Sequence, residues 1–158
     1  MKNEEKISQE LIEKFGYLEN AISTQRERRM STVVSLEKFP EVFDYMVKKM
    51  GFNVLSAITG LDEGNDLVVI YHLSADCALM LNLKTRLARD NPTIKTVTSY
   101  FSSAEIYERE LEDLLGIKVS GLGDGPHYPL PDNWPKGEFP LRKDYKGAMK
   151  EKKESKDA

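Results

Sequence analysis

The stretch Phe101–Tyr145, FSSAEIYERELEDLLGIKVSGLGDGPHYPLPDNWPKGEFPLRKDY, joins the best-marked helix of the chain to its least regular segment. Ser102 and Glu105 stand in the S-x-x-E arrangement of a capping box, which satisfies two orphan backbone N–H groups at a helix start. Gly116 sits where a left-handed residue ends a helix, and Ile117-Lys118-Val119 then alternates like a strand. The spacing predicts a helix over Ser103 to Leu115. Ala104, Tyr107, Leu111, Leu114 and Leu115 share its apolar stripe, with Glu108 and Glu110 on the flanks. Glu105, Ile106, Arg109, Glu112 and Asp113 point the other way, and an isoleucine among these charges implies that something covers this face. The plainer reading is a solvated face laced by Glu105–Arg109 and Arg109–Asp113 pairs, each worth only about 0.3–0.5 kcal/mol.

After Val119 the pattern changes. Gly121, Gly123 and Gly125 are followed by Pro126, Pro129, Pro131, Pro135 and Pro140. Proline fixes φ and donates no hydrogen bond, so this segment is neither helix nor central strand. It nonetheless carries Tyr128, Leu130, Trp134, Phe139 and Leu141, which a flexible linker does not need. An extended strap laid on a surface, in part another subunit's, accommodates both facts. Gly121-Leu122-Gly123-Asp124-Gly125 lacks the lysine of a phosphate-binding loop and opens no helix, so it reads as a turn.

Upstream, Ile7, Leu11, Ile12 and Phe15 recur at helical spacing before Gly16. Tyr17 to Thr24 is a candidate first strand. Arg26, Arg28 and Arg29 form a solvated hairpin end, with contact to an acidic neighbour or lipid headgroups as the functional alternative. Met30 to Leu36 reads as a strand. Lys38 to Met50 reads as a helix with Pro40 in its first turn and Phe39, Val42, Phe43, Met46, Val47 and Met50 facing the core. Asn53 to Leu61 and Asp66 to Leu73 are β-rich runs joined by the hairpin connection Asp62-Glu63-Gly64-Asn65. Cys77 to Leu87 is a further strand, and Thr93 to Ser99 a short extended lead-in to the helix at Ser103. This order predicts an α+β domain over residues 1–119, a largely antiparallel sheet with helices packed on one face. A proline-rich strap over 120–145 and a mobile charged tail over 146–158 follow.

The 158 residues carry 31% charged side chains of both signs and a net charge of −3, which argues against general nucleic-acid affinity. No apolar run approaches the roughly 20 residues that span a bilayer, and the charged N-terminus is unlike a signal peptide, so a cytoplasmic chain with no direct membrane span is expected. The single cysteine, Cys77, excludes an internal disulfide, and with only His72 and His127 beside it no zinc or iron–sulfur ligand set assembles. Cys77 reads as a small buried hydrophobe and His72 as a hydrogen-bonded structural histidine. No catalytic residues and no bound cofactor are expected.

Glu108-Arg109-Glu110 followed by Asp113-Leu114-Leu115-Gly116-Ile117, and later Pro140-Leu141-Arg142-Lys143-Asp144-Tyr145, resembles the thirty-kilodalton (C) subunit family of respiratory complex I. That family includes the counterpart subunit of energy-converting, membrane-bound NiFe hydrogenases. Ile70-Tyr71-His72-Leu73-Ser74 resembles the family's strand, so the likeness covers roughly Ser31 to Tyr145. Between the two motifs this chain has Ser120-Gly121-Leu122-Gly123-Asp124-Gly125-Pro126-His127-Tyr128. The complex I type instead carries a Gly-His-Pro turn and paired arginines, a departure that weakens the complex I assignment and leaves the hydrogenase-like branch open.

The resemblance implies a cofactor-free structural or assembly subunit of a membrane-bound, ion-pumping oxidoreductase, held peripherally on the cytoplasmic face. Its implied partners are the large, D-like subunit, hydrogenase-type or shaping a quinone site, and iron–sulfur subunits; the iron–sulfur clusters and any NiFe centre would lie in those chains. An energy-converting hydrogenase or a related complex is the first reading and a complex I C subunit the second. The residues so implied at the partner interface are Ile106, Glu108, Arg109, Glu110, Asp113, Trp134, Phe139, Pro140, Leu141, Arg142, Lys143 and Asp144. Two rival classes stand beside this. One is an enzyme using Glu108 or Glu110 with His127 as acid and base. The other is a free-standing peptide-binding or signalling module that offers its proline strap as a ligand.

Overall fold

The computed structural model describes residues 3–75 and 79–147. Helix α1, Asn3–Lys14, leads through a single 3₁₀ turn, Gly16–Leu18, into strands β1, Ile22–Arg26, and β2, Arg29–Val33. Helix α2, Phe39–Lys48, precedes strands β3, Val54–Asp62, β4, Asp66–Ala75, and β5, Leu79–Ala88. Strand β6, Thr93–Lys95, helix α3, Ala104–Leu115, and strand β7, Lys118–Ser120, complete the elements. The main sheet has the order β1-β2-β5-β4-β3, while β6 and β7 form a separate parallel pair. All contacts in the main sheet are antiparallel except β2 with β5.

The architecture is the α+β arrangement that the alternating and helical periods predict. Tyr71 and Leu83 are opposite one another, as are Leu73 and Leu81, and this row forms the floor of the core. Phe39 and Phe43 of α2 set their rings 4.8 and 5.4 Å from that of Tyr71, which fixes α2 on this face. Phe15, just after α1, meets Tyr45 of α2 edge-on at 5.4 Å. Helix α3 packs on β3 at Gly60, where a Cβ would displace the Leu111 and Leu115 side chains that lie over it.

Several local expectations are corrected. Tyr17 does not begin a strand: Phe15–Leu18 closes as a tight turn, and pairing starts only at Ile22. The arginine cluster does lie at a hairpin end, with Arg28 in the left-handed region at φ 59°. The capping box of Ser102 and Glu105 is not made: the N-cap falls one residue later, at Ser103, with no side-chain cap, and the Glu105 carboxylate is taken by Arg109. Gly116, by contrast, ends α3 in the left-handed conformation at φ 65°. His72 is a structural histidine on the helix-free face, bonded to Asn82 at 2.8 Å and Thr59 at 2.9 Å. Cys77 and most of the charged tail lie outside the described residues.

Candidate functional site

Helix α3 and residues 121–145 build one surface. The two motifs at Glu108–Ile117 and Pro140–Tyr145 are separated by a long proline-rich gap, yet they meet at the C-terminal end of α3. The last carbonyls of a helix lack intrahelical donors. Here the Leu141 N–H donates to Leu114 O at 3.0 Å, and the Arg142 Nε–H donates to Leu115 O at 2.7 Å. A cation at this end also meets the negative pole of the helix. The Arg142 guanidinium stacks 4.9 Å from the Phe139 ring, and that ring lies where a Cβ on Gly116 would stand. Gly116 therefore serves two requirements at once, a positive φ and room for Phe139.

The remainder of the second motif is pinned to the sheet. Asp62, at the end of β3, accepts from the Gly64 N–H at 2.8 Å and from Arg89 at 2.6 Å, and its other oxygen accepts from the Lys143 N–H at 2.8 Å. Arg89 also pairs with Asp144 at 2.8 Å. The Arg89 guanidinium, helped by the Lys143 and Gly64 amides, holds the Asp62 carboxyl well below the usual carboxylate range despite its burial. Asp62 and Arg89 are anchors that the sequence reading missed. Asp62 was visible only as turn chemistry, and nothing local marks Arg89.

Along the outer face of α3 the strap makes a second set of contacts. Asp113 binds His127 Nδ1 at 2.7 Å and accepts from the Tyr128 N–H at 2.5 Å. Arg109, with only 12% of its side chain exposed, pairs with Glu105 at 2.9 Å and donates to Gly123 O at 3.0 Å. Gly125 abuts the Arg109 guanidinium so closely that a Cβ there would displace it. Trp134 donates through Nε1 to Glu138 O at 2.9 Å and lies 6.4 Å from the Tyr145 ring. The strap is thus held against its own chain by these contacts. It leaves Ile106, expected to be covered, 52% exposed, with Tyr128 at 51% and Leu141 at 57% also open.

Glu108 is corrected from its expected place at a partner interface. It is 0% exposed, and its carboxylate accepts from Thr96 Oγ1 at 2.5 Å and the Val97 N–H at 2.7 Å. Burial pushes its carboxyl above the ordinary glutamate value, and these two donors only partly oppose that. One turn on, Glu112 accepts from the Val119 N–H at 3.1 Å. Two carboxylates of α3 therefore clamp the segments that follow β6 and enter β7. A signal was present: Ala104, Glu108, Leu111 and Leu115 follow the buried helical spacing, so Glu108 occupies a core position. Glu108 and His127 are engaged by different partners and do not form an acid–base pair. Among the described residues, no group of three His, Cys, Asp or Glu side chains could hold a metal ion.

No helix of the described residues is long and apolar enough to cross a membrane. A profile of the family described as "Respiratory-chain NADH dehydrogenase, 30 Kd subunit" matches residues 32–151. The chain is 34% identical over 144 residues to the C subunit of the F(420)H(2) dehydrogenase of Methanosarcina mazei, covering 89% of this chain and 90% of that one. It is 30% identical over 140 residues to the C subunit of the NADH-quinone oxidoreductase of Chlorobium phaeobacteroides, covering 85% and 83%. Among solved structures it matches a chain of the membrane-bound sulfane sulfur reductase, an archaeal respiratory membrane complex, with a TM-score of 0.78 and 28% identity over 89% of this chain and 84% of that one. These relatives are subunits of complex I-like and membrane-bound respiratory complexes.

Proposed function

We propose that this chain, which belongs to the respiratory-chain NADH dehydrogenase 30 Kd subunit family, is a cofactor-free docking subunit in the peripheral arm of a membrane-bound, ion-pumping oxidoreductase. Its role is to present the α3–strap surface to the large subunit of that complex, on the cytoplasmic side of the membrane. Iron–sulfur clusters, and a NiFe centre where there is one, lie in the neighbouring chains. The observation that carries this reading is the exposed trio Ile106, Tyr128 and Leu141 on a surface whose underlying contacts are fixed by Asp62, Asp113 and Arg142. Apolar side chains held rigidly and left open are what a partner's surface can bury at little ordering cost.

The branch of the family follows from two observations that favour different outcomes. The segment Ser120–Tyr128 departs from the complex I pattern, which favours an energy-converting hydrogenase or a related reductase. The matches to the C subunits of F(420)H(2) dehydrogenase and NADH-quinone oxidoreductase, each over most of both chains, favour a complex I C subunit as the second reading.

Affinity purification of the tagged chain from its native host, with mass spectrometry of what accompanies it, tests both levels. A stoichiometric large subunit with two Cys-x-x-C pairs fits the hydrogenase reading, and one without them fits the quinone reading. Recovery of the chain alone, in detergent extracts as in soluble ones, would remove the docking role.

A further inference from the structure

Between α3 and the edge strand β3 runs a groove of about 220 Å³, with Leu141 of the strap in its lining. Its floor is formed by Ile58, Leu111 and Leu115, which are buried, by the half-buried Leu114, and by Thr59 and Gly60 of β3. One charged group stands in its lining, Glu110 of α3. Among the described residues the Glu110 carboxylate has no ion pair and no hydrogen-bond partner, unlike its neighbours Glu105, Glu108, Glu112 and Asp113, each of which is engaged.

We infer that this groove receives a basic side chain, lysine or arginine, from the large partner subunit. The chemistry of the lining selects that occupant. A purely apolar side chain would fill the floor but strip water from Glu110 without replacing it, which is costly for a carboxylate. An acidic one would add repulsion. Lysine and arginine combine a methylene stem that packs on Leu114 and Leu141 with a cationic tip that meets the carboxylate. Leu141 is in place for this role because its own N–H is held by Leu114 O, and Arg142, the neighbouring cation, is committed to Leu115 O. The inference rests on the docking function proposed above and adds the residue pair and the partner's charge.

The test uses the intact complex in the native host. A photo-crosslinking amino acid at Leu141 reports whether this surface touches the large subunit at all, and Glu110→Gln and Glu110→Lys report on charge. The expected result is a crosslink from position 141 to a large-subunit peptide containing Lys or Arg. Glu110→Lys should lower recovery of the large subunit about tenfold or more, and Glu110→Gln should make dissociation occur at lower salt. Thermal melting of each isolated variant establishes that it is folded. If position 141 crosslinks to the large subunit but both Glu110 variants assemble with wild-type recovery and salt dependence, the basic occupant is wrong and the docking function stands. If Glu110→Lys proves unfolded, a crosslinked peptide without a basic residue overturns the inference by itself. Absence of any crosslink to the large subunit overturns it together with the docking surface.

Discussion

Replacing Glu108 by alanine removes the acceptor that ties α3 to the segment after β6. The Val97 N–H, on a residue 3% exposed, would lose its partner at 2.7 Å. Leaving such a donor buried and unpaired costs about 1–3 kcal/mol. The lost side-chain methylene adds roughly 1 kcal/mol. Thr96 Oγ1 keeps its bonds with Thr98, so it adds little, and relief of the desolvated carboxylate offsets part of the loss. The net cost is about 2–3 kcal/mol, or roughly 4–12 °C in Tm for a domain of this size. Glu108→Gln retains an acceptor for Val97 and a group able to donate to Thr96 Oγ1, so it should fall within about 1 kcal/mol of wild type.

Because burial raises the folded carboxyl above its unfolded value, the proton-linked part of the Glu108 contribution, the bond from Val97 aside, is fully present below the ordinary glutamate range. It is lost as pH rises through the folded value. Urea unfolding of wild type and Glu108→Gln across pH 4 to 8, taken as a difference, isolates this group. Wild type should lose ground to the glutamine variant as pH rises. An alanine variant melting within about 1 °C of wild type would refute the clamp, and a difference flat in pH would refute the burial-raised carboxyl.

Asp62 has the opposite sign. Its carboxyl is depressed, so its contribution is present at neutral pH and fades as pH falls below the ordinary aspartate range. Asp62→Asn should therefore narrow its deficit toward acid pH, and it should speed tryptic cleavage at Arg142 and Lys143 at pH 7.5, read by gel; unchanged cleavage would mean the strap is held elsewhere. Truncation after Leu130 should leave a folded chain by circular dichroism. It should also cost roughly 2–4 kcal/mol, because Leu114 O, Leu115 O and Asp62 all lose donors, and large-subunit recovery should be lost. Full co-purification of the truncated form would show that the strap is not the docking element.

The β3–β4 hairpin was legible because alternation and turn chemistry are local. Asp62-Glu63-Gly64-Asn65 separates two runs whose register then follows from which face is apolar. Helix α2 was marked by Pro40 and its apolar spacing, and the end of α3 by Gly116. The parallel pairing of β2 with β5 was not legible, since those strands are far apart in sequence and nothing within either specifies the partner. The same limit hid the return of Pro140–Tyr145 to the end of α3. The sequence marks both motifs but carries no sign that Arg142 would serve Leu115 O or that Arg89 would bridge Asp62 and Asp144. Charge misled where burial decided: Glu108 lies among acids and bases, yet its spacing from Ala104 and Leu111 puts it in the core. The capping box failed for a related reason, since Glu105 has a better partner in the Arg109 guanidinium.

Hydrogen–deuterium exchange of the free subunit against the same subunit within its purified complex bears most directly on docking through the α3–strap surface. Added protection should concentrate in residues 104–116 and 121–145, with the helix-free face of the main sheet and α1 changing little. Protection confined to that sheet face or to α1, with 104–145 unchanged, would contradict the assignment of the docking surface.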